Sequence, residues 1–165
     1  TRMVTGFGVP QFTAILNCAK FARKLKIPLI SEVGIRNSRD IVLALAAGAS
    51  TVMIGGLFSK TIESPSELIV RDGESFKKYR GQASKDFQDD YYGQVKKGTV
   101  PEGVSFEVKC YGSAQKLIDN LCGGLRSGLT YGGSKSIKEL QNKAEFVQVT
   151  RNYLTESNPR TQISK

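Results

Sequence analysis

Gly34, Gly55 and Gly56 are the residues whose type and spacing first suggest chemistry. Each follows a short apolar, β-branched run: Ile27–Ser31 before the first, Thr51–Ile54 before the pair. Two parallel strands end on one side of their sheet, so both glycine loops would lie together. Backbone N–H groups free of side chains can cradle a phosphate there. The same glycines also suit tight turns with no ligand, and spacing alone does not choose between the two. Gly6 and Gly8 form a second candidate loop that permits close backbone approach. It is no dinucleotide fingerprint, because no strand precedes it and no third glycine follows.

What is missing narrows the chemistry. The chain has no histidine. A Ser-His or Cys-His pair within it is excluded, and a zinc site is not expected. Cys18, Cys110 and Cys122 are odd in number and lack CxxC spacing, the pattern of a reduced protein without a disulfide framework. The net charge of +9 and pI near 9.6 favour anionic partners such as nucleotides or phosphates, although a lysine-biased soluble surface gives the same sum. The basic residues are spread along the chain with no aromatic-interleaved run, which argues against nucleic acid. No apolar run approaches the ~18 residues of a membrane span, and no signal peptide is visible. A cytoplasmic protein with no membrane partner is expected. The chain does not begin with Met and reads as a piece of something longer.

Holding the two glycine loops together requires a strand–helix–strand unit. Ser38 is the expected N-cap of a helix carrying Ile41, Leu45 and Ala46, and Gly48 its left-handed stop. Both strands are apolar on both faces and need neighbours, which must come from residues before Thr1 or from another chain. The expected fold is therefore α/β: residues 1–165 as the C-terminal part of a TIM (β/α)₈ barrel, with a flap insertion at about 68–110. An open doubly wound sheet is the alternative.

The remaining segments fill in around that unit. Thr1–Val9 reads as a loop, and Pro10–Leu25 as an amphipathic helix with Phe12, Ile15, Leu16, Ala19 and Ala22 on one face. Phe58–Ile62 suits a short helical turn. Leu68–Val70 and Phe76–Tyr79 flank Asp72-Gly73, a hairpin signal. Gly81–Gly103 is polar without apolar periodicity and reads as an unstructured flap or lid, with Phe106–Cys110 as its returning strand. Ser113–Leu129 reads as a helix interrupted at Gly123-Gly124, Ser136–Lys143 as a short helix, Glu145–Val149 as a strand and Arg151–Lys165 as an extended tail.

Several runs together carry a resemblance. They are Thr-Arg-Met-Val-Thr-Gly-Phe-Gly-Val-Pro-Gln (1–11), Ala-Leu-Ala-Ala-Gly-Ala-Ser-Thr-Val-Met-Ile-Gly-Gly (44–56), Glu-Ser-Pro (63–65), Lys-Tyr-Arg-Gly (78–81), Val-Pro-Glu-Gly-Val (100–104), Gly-Gly-Leu-Arg-Ser-Gly (123–128) and Ala-Glu-Phe-Val (144–147). In this order they resemble the C-terminal part of the IMP dehydrogenase / GMP reductase family. The resemblance implies a (β/α)₈ barrel that forms homotetramers. It also implies hydride transfer between NAD or NADP and C2 of a purine nucleotide, GMP or IMP, through a covalent cysteine bond. That cysteine belongs to a Gly-x-x-Cys-x-Thr-Arg motif of which Thr1-Arg2 is the end, so it is expected two positions before Thr1.

The resemblance also implies roles. Thr1 matches the threonine that helps activate water or ammonia. Gly34, Gly55 and Gly56 align with the phosphate cradle, and Tyr79 with a tyrosine that reaches the same phosphate. Glu32 stands where the family has Asp for the ribose diol, and keeps a carboxylate that accepts both hydroxyl protons. Val33 stands where the family usually has Gly and removes a flexible point. Gln82 and Ala83 match the loop whose backbone reads the base, and Glu102 a side chain that reads its edge. Gly6 and Gly8 fall to the cofactor. Asp89-Asp90-Tyr91 replaces the Arg-Tyr pair of dehydrogenases. The short flap and Gly55-Gly56 look like a reductase, with Asp86 near the place of its acid. Thr155-Glu156-Ser157-Asn158-Pro159 looks instead like a dehydrogenase tail, in which the Glu156 and Ser157 carbonyls would help bind potassium. The balance of these signals leans to GMP reductase, with IMP dehydrogenase and a non-catalytic nucleotide-binding fragment as alternatives.

Overall fold

The computed structural model describes residues 1–157. Strand β1 (Ile30–Glu32) and strand β2 (Thr51–Met53) pair in parallel, Ile30 with Thr51, Ser31 with Val52 and Glu32 with Met53. That register sets Gly34 and Gly55 each two residues beyond the last pair. Helix α3 (Ser38–Ala46) makes the crossover.

The cap of α3 differs from expectation. Asn37 is the N-cap, its side chain accepting the Asp40 N–H at 3.1 Å. Ser38 instead occupies the first helical position and lies against helix α5 (Ala114–Tyr131). Asp40 returns a carboxylate oxygen to the Arg36 N–H at 3.0 Å. At the other end Gly48 has φ +113° and no room for a side chain, since an added Cβ would lie 2.5 Å from the Ala19 methyl.

Helix α3 is apolar on two faces and stands at the centre of the core. On one side Ala44 joins Ile15, Ala47 and Ala49, with Ile15 coming from helix α2 (Gln11–Leu25). On the other Ile41 and Leu45 pack on Leu121 of α5. Removing a buried leucine such as Leu45 costs about 2–5 kcal/mol in a core of this kind. Helix α5 runs unbroken through Gly123-Gly124, which do not interrupt it. Gly124 and Gly128 let it approach α3: added Cβ atoms would lie 2.1 Å from Ser38 Oγ and 2.5 Å from Val42 Cγ2.

The second sheet is antiparallel, in the order β3 (Leu68–Arg71), β4 (Glu74–Arg80), β5 (Ser105–Lys109). Asp72 and Gly73 take φ of +52° and +76°, the left-handed pair of a two-residue hairpin turn. The segment 81–103 is not structureless. Helix α4 (Lys85–Tyr92) lies within it, capped by Ser84 Oγ, which accepts the Phe87 N–H. Its periodicity was invisible because it buries no residue. Phe87 and Tyr91 stack on each other instead, with centroids 5.5 Å apart, and Lys85 pairs with Asp89 along the same helix.

Other expectations also change. Arg2–Thr5 forms a short helix, α1, rather than loop. Residues 145–149 pair with no strand; Phe146 is held edge-on against Phe12 at 4.9 Å. Helix α6 (Ile137–Lys143) ends just before them, with Ser136, the expected first residue, as its N-cap. Residues Asn152–Glu156 form helix α7 instead of an extended tail, and the expected potassium segment runs past it at Asn158 and Pro159, outside the described residues. No helix among the described residues is long and apolar enough to cross a membrane. The outward face of the two-stranded sheet is bare, with Ile30 and Met53 more than half exposed.

Candidate active site

The C-terminal ends of β1 and β2 carry the candidate anion site. No hydrogen bond within the described residues uses the N–H of Gly34, Gly55 or Gly56. A Cβ added at any of the three would meet nothing within 4 Å. Free donors and open space fit a phosphate. Ser59 closes the turn after the pair, its N–H donating to Gly55 O at 3.0 Å and its hydroxyl to Gly56 O at 2.9 Å.

Gly55, Tyr79 and Gln82 line one cavity of about 670 Å³, together with Ser59 and the Ser64–Ser66 segment. Gly34 lines a different one of about 360 Å³, with Gln11, Ser31 and Arg36. Glu32 ends β1 on its exposed side, and its carbonyl accepts the Gln11 Nε2–H at 2.5 Å. Between Glu32 and Gly34, Val33 holds φ +69°. This is an outlier for a β-branched side chain, which lies two-thirds exposed.

The segment 81–103 brings distant residues together. Thr1 Oγ1 donates to Glu102 Oε2 at 2.5 Å, across 101 positions of sequence. Glu102 is held by its neighbour. The Gly103 N–H donates to Ala83 O at 2.9 Å, and Ser84, fully buried, forms a bridge with Gly103. A Cβ on Gly103 would lie 2.6 Å from Ser84 N and 2.7 Å from Ala83 C, so only glycine permits this approach. Gln82, Ala83 and Glu102 are thereby locked into one unit.

Asp86 has other partners. Its carboxylate pairs with Lys78 Nζ at 2.8 Å, and that bond holds it below the usual carboxylate range, with Ser105 and Arg80 adding to it. It lines a charged recess with Lys78, Lys85 and Glu107 and makes no hydrogen bond to Thr1. Asp89 pairs with Lys85, and Asp90 with Arg80.

The expected cofactor glycines differ from each other. Gly6 ends α1 at φ +73° with open space around it. The space beside Gly8 is filled by Arg2, whose side chain a Cβ there would overlap at 2.5 Å. Glu156 and Ser157 sit at the C-terminal end of α7, where Ser157 Oγ donates to Tyr153 O at 2.7 Å.

Two features were not read from sequence. One is the Thr1–Glu102 pairing, for which no local signal exists. The other is Lys77, buried at 5 % exposure, whose ammonium donates to Ser64 O and Ser66 O at 2.9 and 2.7 Å. Strand alternation sets Lys77 on the face of Tyr79, and that parity could have found it.

Residues 1–160 match the IMP dehydrogenase / GMP reductase domain family. The chain belongs to this family. It is 49 % identical over 156 residues to an inosine-5'-monophosphate dehydrogenase of Aquifex aeolicus, covering 91 % of this chain and 32 % of the relative. It is 43 % identical to the inosine-5'-monophosphate dehydrogenase of Bacillus subtilis, covering all of this chain and 35 % of the relative. Among solved structures it matches a GMP reductase variant from Trypanosoma brucei in complex with guanosine 5'-monophosphate. The TM-score is 0.91 at 41 % identity, over 98 % of this chain and 34 % of that one. The chain therefore spans about a third of the length of these IMP dehydrogenase and GMP reductase relatives. Membership makes it part of a family of NAD(P)-dependent oxidoreductases of purine metabolism.

Proposed function

We propose that the polypeptide carrying this chain converts GMP to IMP and ammonia as a GMP reductase, with Thr1 and Glu102 handling the departing amine. The observation that carries the reading is the Thr1 Oγ1–Glu102 hydrogen bond. It sets a carboxyl group and a hydroxyl in one proton path beside the position where the nucleophile is expected. The nucleophile is a cysteine two positions before Thr1, whose thiolate adds to C2 of the base. As the C2–N bond breaks, a proton passes from Glu102 through Thr1 to the amine, which leaves as ammonia. The nicotinamide cofactor, NADPH in this direction, supplies the hydride that C2 takes before the C–S bond breaks to give IMP. Glu102 takes the acid role in preference to Asp86, whose carboxylate is committed to Lys78.

The proposed substrate placement uses the residues that the resemblance assigns. The unspent N–H groups of Gly55 and Gly56, with the Tyr79 hydroxyl, hold the phosphate; Gly34, although it lines a separate cavity, joins them across the adjacent ends of β1 and β2, and Glu32 holds the ribose diol. Gln82 and Ala83 hold the base. Gly6, with open space around it, borders the cofactor, whereas Gly8 serves α1 through Arg2. Glu156 and Ser157 offer carbonyl oxygens at a helix C-terminus, the end that favours a cation such as potassium. The bare face of β1 and β2 and the greater length of the relatives support a (β/α)₈ barrel completed by residues before Thr1, in a homotetramer. The flap then spans about residues 68–110.

A second reading, an NAD-dependent IMP dehydrogenase, is favoured by the names and identities of the bacterial relatives. In that direction the same pair would take a proton from water. Against it, Asp89 and Asp90 stand where the flap arginine is expected, and both are ion-paired. The deciding experiment incubates the intact polypeptide with GMP plus NADPH and, separately, with IMP plus NAD. Ammonia release with loss of NADPH supports the reductase. NADH formation from IMP replaces it with the dehydrogenase. Tight binding of both nucleotides with no turnover leaves only a nucleotide-binding role.

A further inference from the structure

We infer that Lys77 is a positioning residue that sets the shape of the nucleotide pocket from behind, without touching the ligand; the inference rests on the nucleotide-binding reading above. Lys77 lies mid-strand in β4, paired with Leu68 on one side and Val108 on the other. A lysine buried at the centre of a sheet needs partners for its charge. Its partners are two backbone carbonyls that flank Pro65, those of Ser64 and Ser66. The next residue adds a third tie, the Lys78 N–H donating to Ser66 Oγ at 2.8 Å.

These three bonds fasten the Ser64–Ser66 segment to the strand that carries Tyr79. The segment is one wall of the 670 Å³ cavity, and Tyr79, Gln82 and Gly55 belong to the others. Glu63 anchors the far end of the same wall by accepting the Ala114 N–H at 2.8 Å. Lys77 itself does not line the cavity. It therefore fixes the distance between wall and tyrosine, and its loss lets the wall move while Thr1 and Glu102 stay paired. Binding should then suffer more than chemistry.

The test uses the intact polypeptide and reads Kd for GMP by calorimetry alongside kcat. Lys77→Met keeps the stem and removes the donors. It is expected to weaken GMP binding by about tenfold or more, since a small misplacement of a positioning wall is costly, while kcat changes less than about threefold. Ser66→Ala removes the bond from Lys78 and a longer one to Glu67 O at 3.3 Å, and serves where Lys77→Met does not fold. It should weaken binding in the same direction, by about two- to fivefold, a larger change than in kcat. Unchanged Kd in a folded Lys77→Met or Ser66→Ala protein overturns the inference, as does a fall in kcat at constant Kd. If the wild-type protein binds neither GMP nor IMP, the nucleotide reading falls and takes this inference with it. If it binds them and the variants bind equally well, only the inference fails.

Discussion

At the scale of the residue, the proposed chemistry turns on Glu102. Glu102→Gln keeps the shape and still accepts a hydrogen bond from Thr1, but cannot give a proton. It is expected to lower kcat by about 10²- to 10⁴-fold, the usual worth of a general acid. Equal kcat in steady-state assays would remove Glu102 from the proton path. Val33 carries a different kind of information. Its left-handed backbone costs on the order of 1–3 kcal/mol for a β-branched side chain, against about 0.5–1 kcal/mol for the extra freedom of glycine. Val33→Gly should therefore stabilise the protein by about 1 kcal/mol, visible as a higher urea midpoint; a lower midpoint would mean that the isopropyl group packs in the intact assembly. The residue types were legible in the sequence, Val33 included, because each sits in a short motif. The partner of Thr1 was not, because a hydrogen bond between positions 1 and 102 leaves no mark on either neighbourhood.

At the scale of the element, legibility followed what stabilises each one. Helices α2 and α5 were readable because they lay an apolar stripe on a core, and the β3–β4 hairpin because Asp72-Gly73 takes a backbone that few other pairs adopt. Helix α4 was not readable, since a cap, an ion pair and an aromatic stack hold it without burial. Residues 145–149 misled in the opposite way: β-branched side chains suit a strand, but among the described residues the segment pairs with none and is held by Phe146 against Phe12. The glycine pair in α5 misled too, because its cause is a neighbouring helix. Gly124→Ala is expected to cost about 1–3 kcal/mol by driving a methyl into Ser38. Ser38→Gly removes both atoms it meets, so the double variant should recover part of that loss. A double-mutant cycle measured by denaturant unfolding would show a coupling of about 0.5 kcal/mol or more, and strict additivity would mean that the helices do not touch there.

At the scale of the whole molecule, charge and the exposed strand face matter most. The chain contributes +9, and its proposed ligand is an anion. Association of GMP, followed by stopped flow, should slow as ionic strength rises from about 0.01 to about 0.15 M, because the screening length contracts from about 30 to about 8 Å. A rate indifferent to salt would confine the charge to a bystander role. The bare strand face fits the expectation of neighbouring strands: Ile30 and Met53 lie more than half exposed, and no described residue covers them. The Thr1–Glu102 bond has a last consequence, which concerns time. At a synthesis rate of about 5–20 residues per second, a ribosome makes the acid roughly 5–20 s after the hydroxyl it serves. Gly34, Gly55 and Gly56 are all made within that interval, so under the proposed roles a nascent chain has its phosphate-binding glycines before its acid.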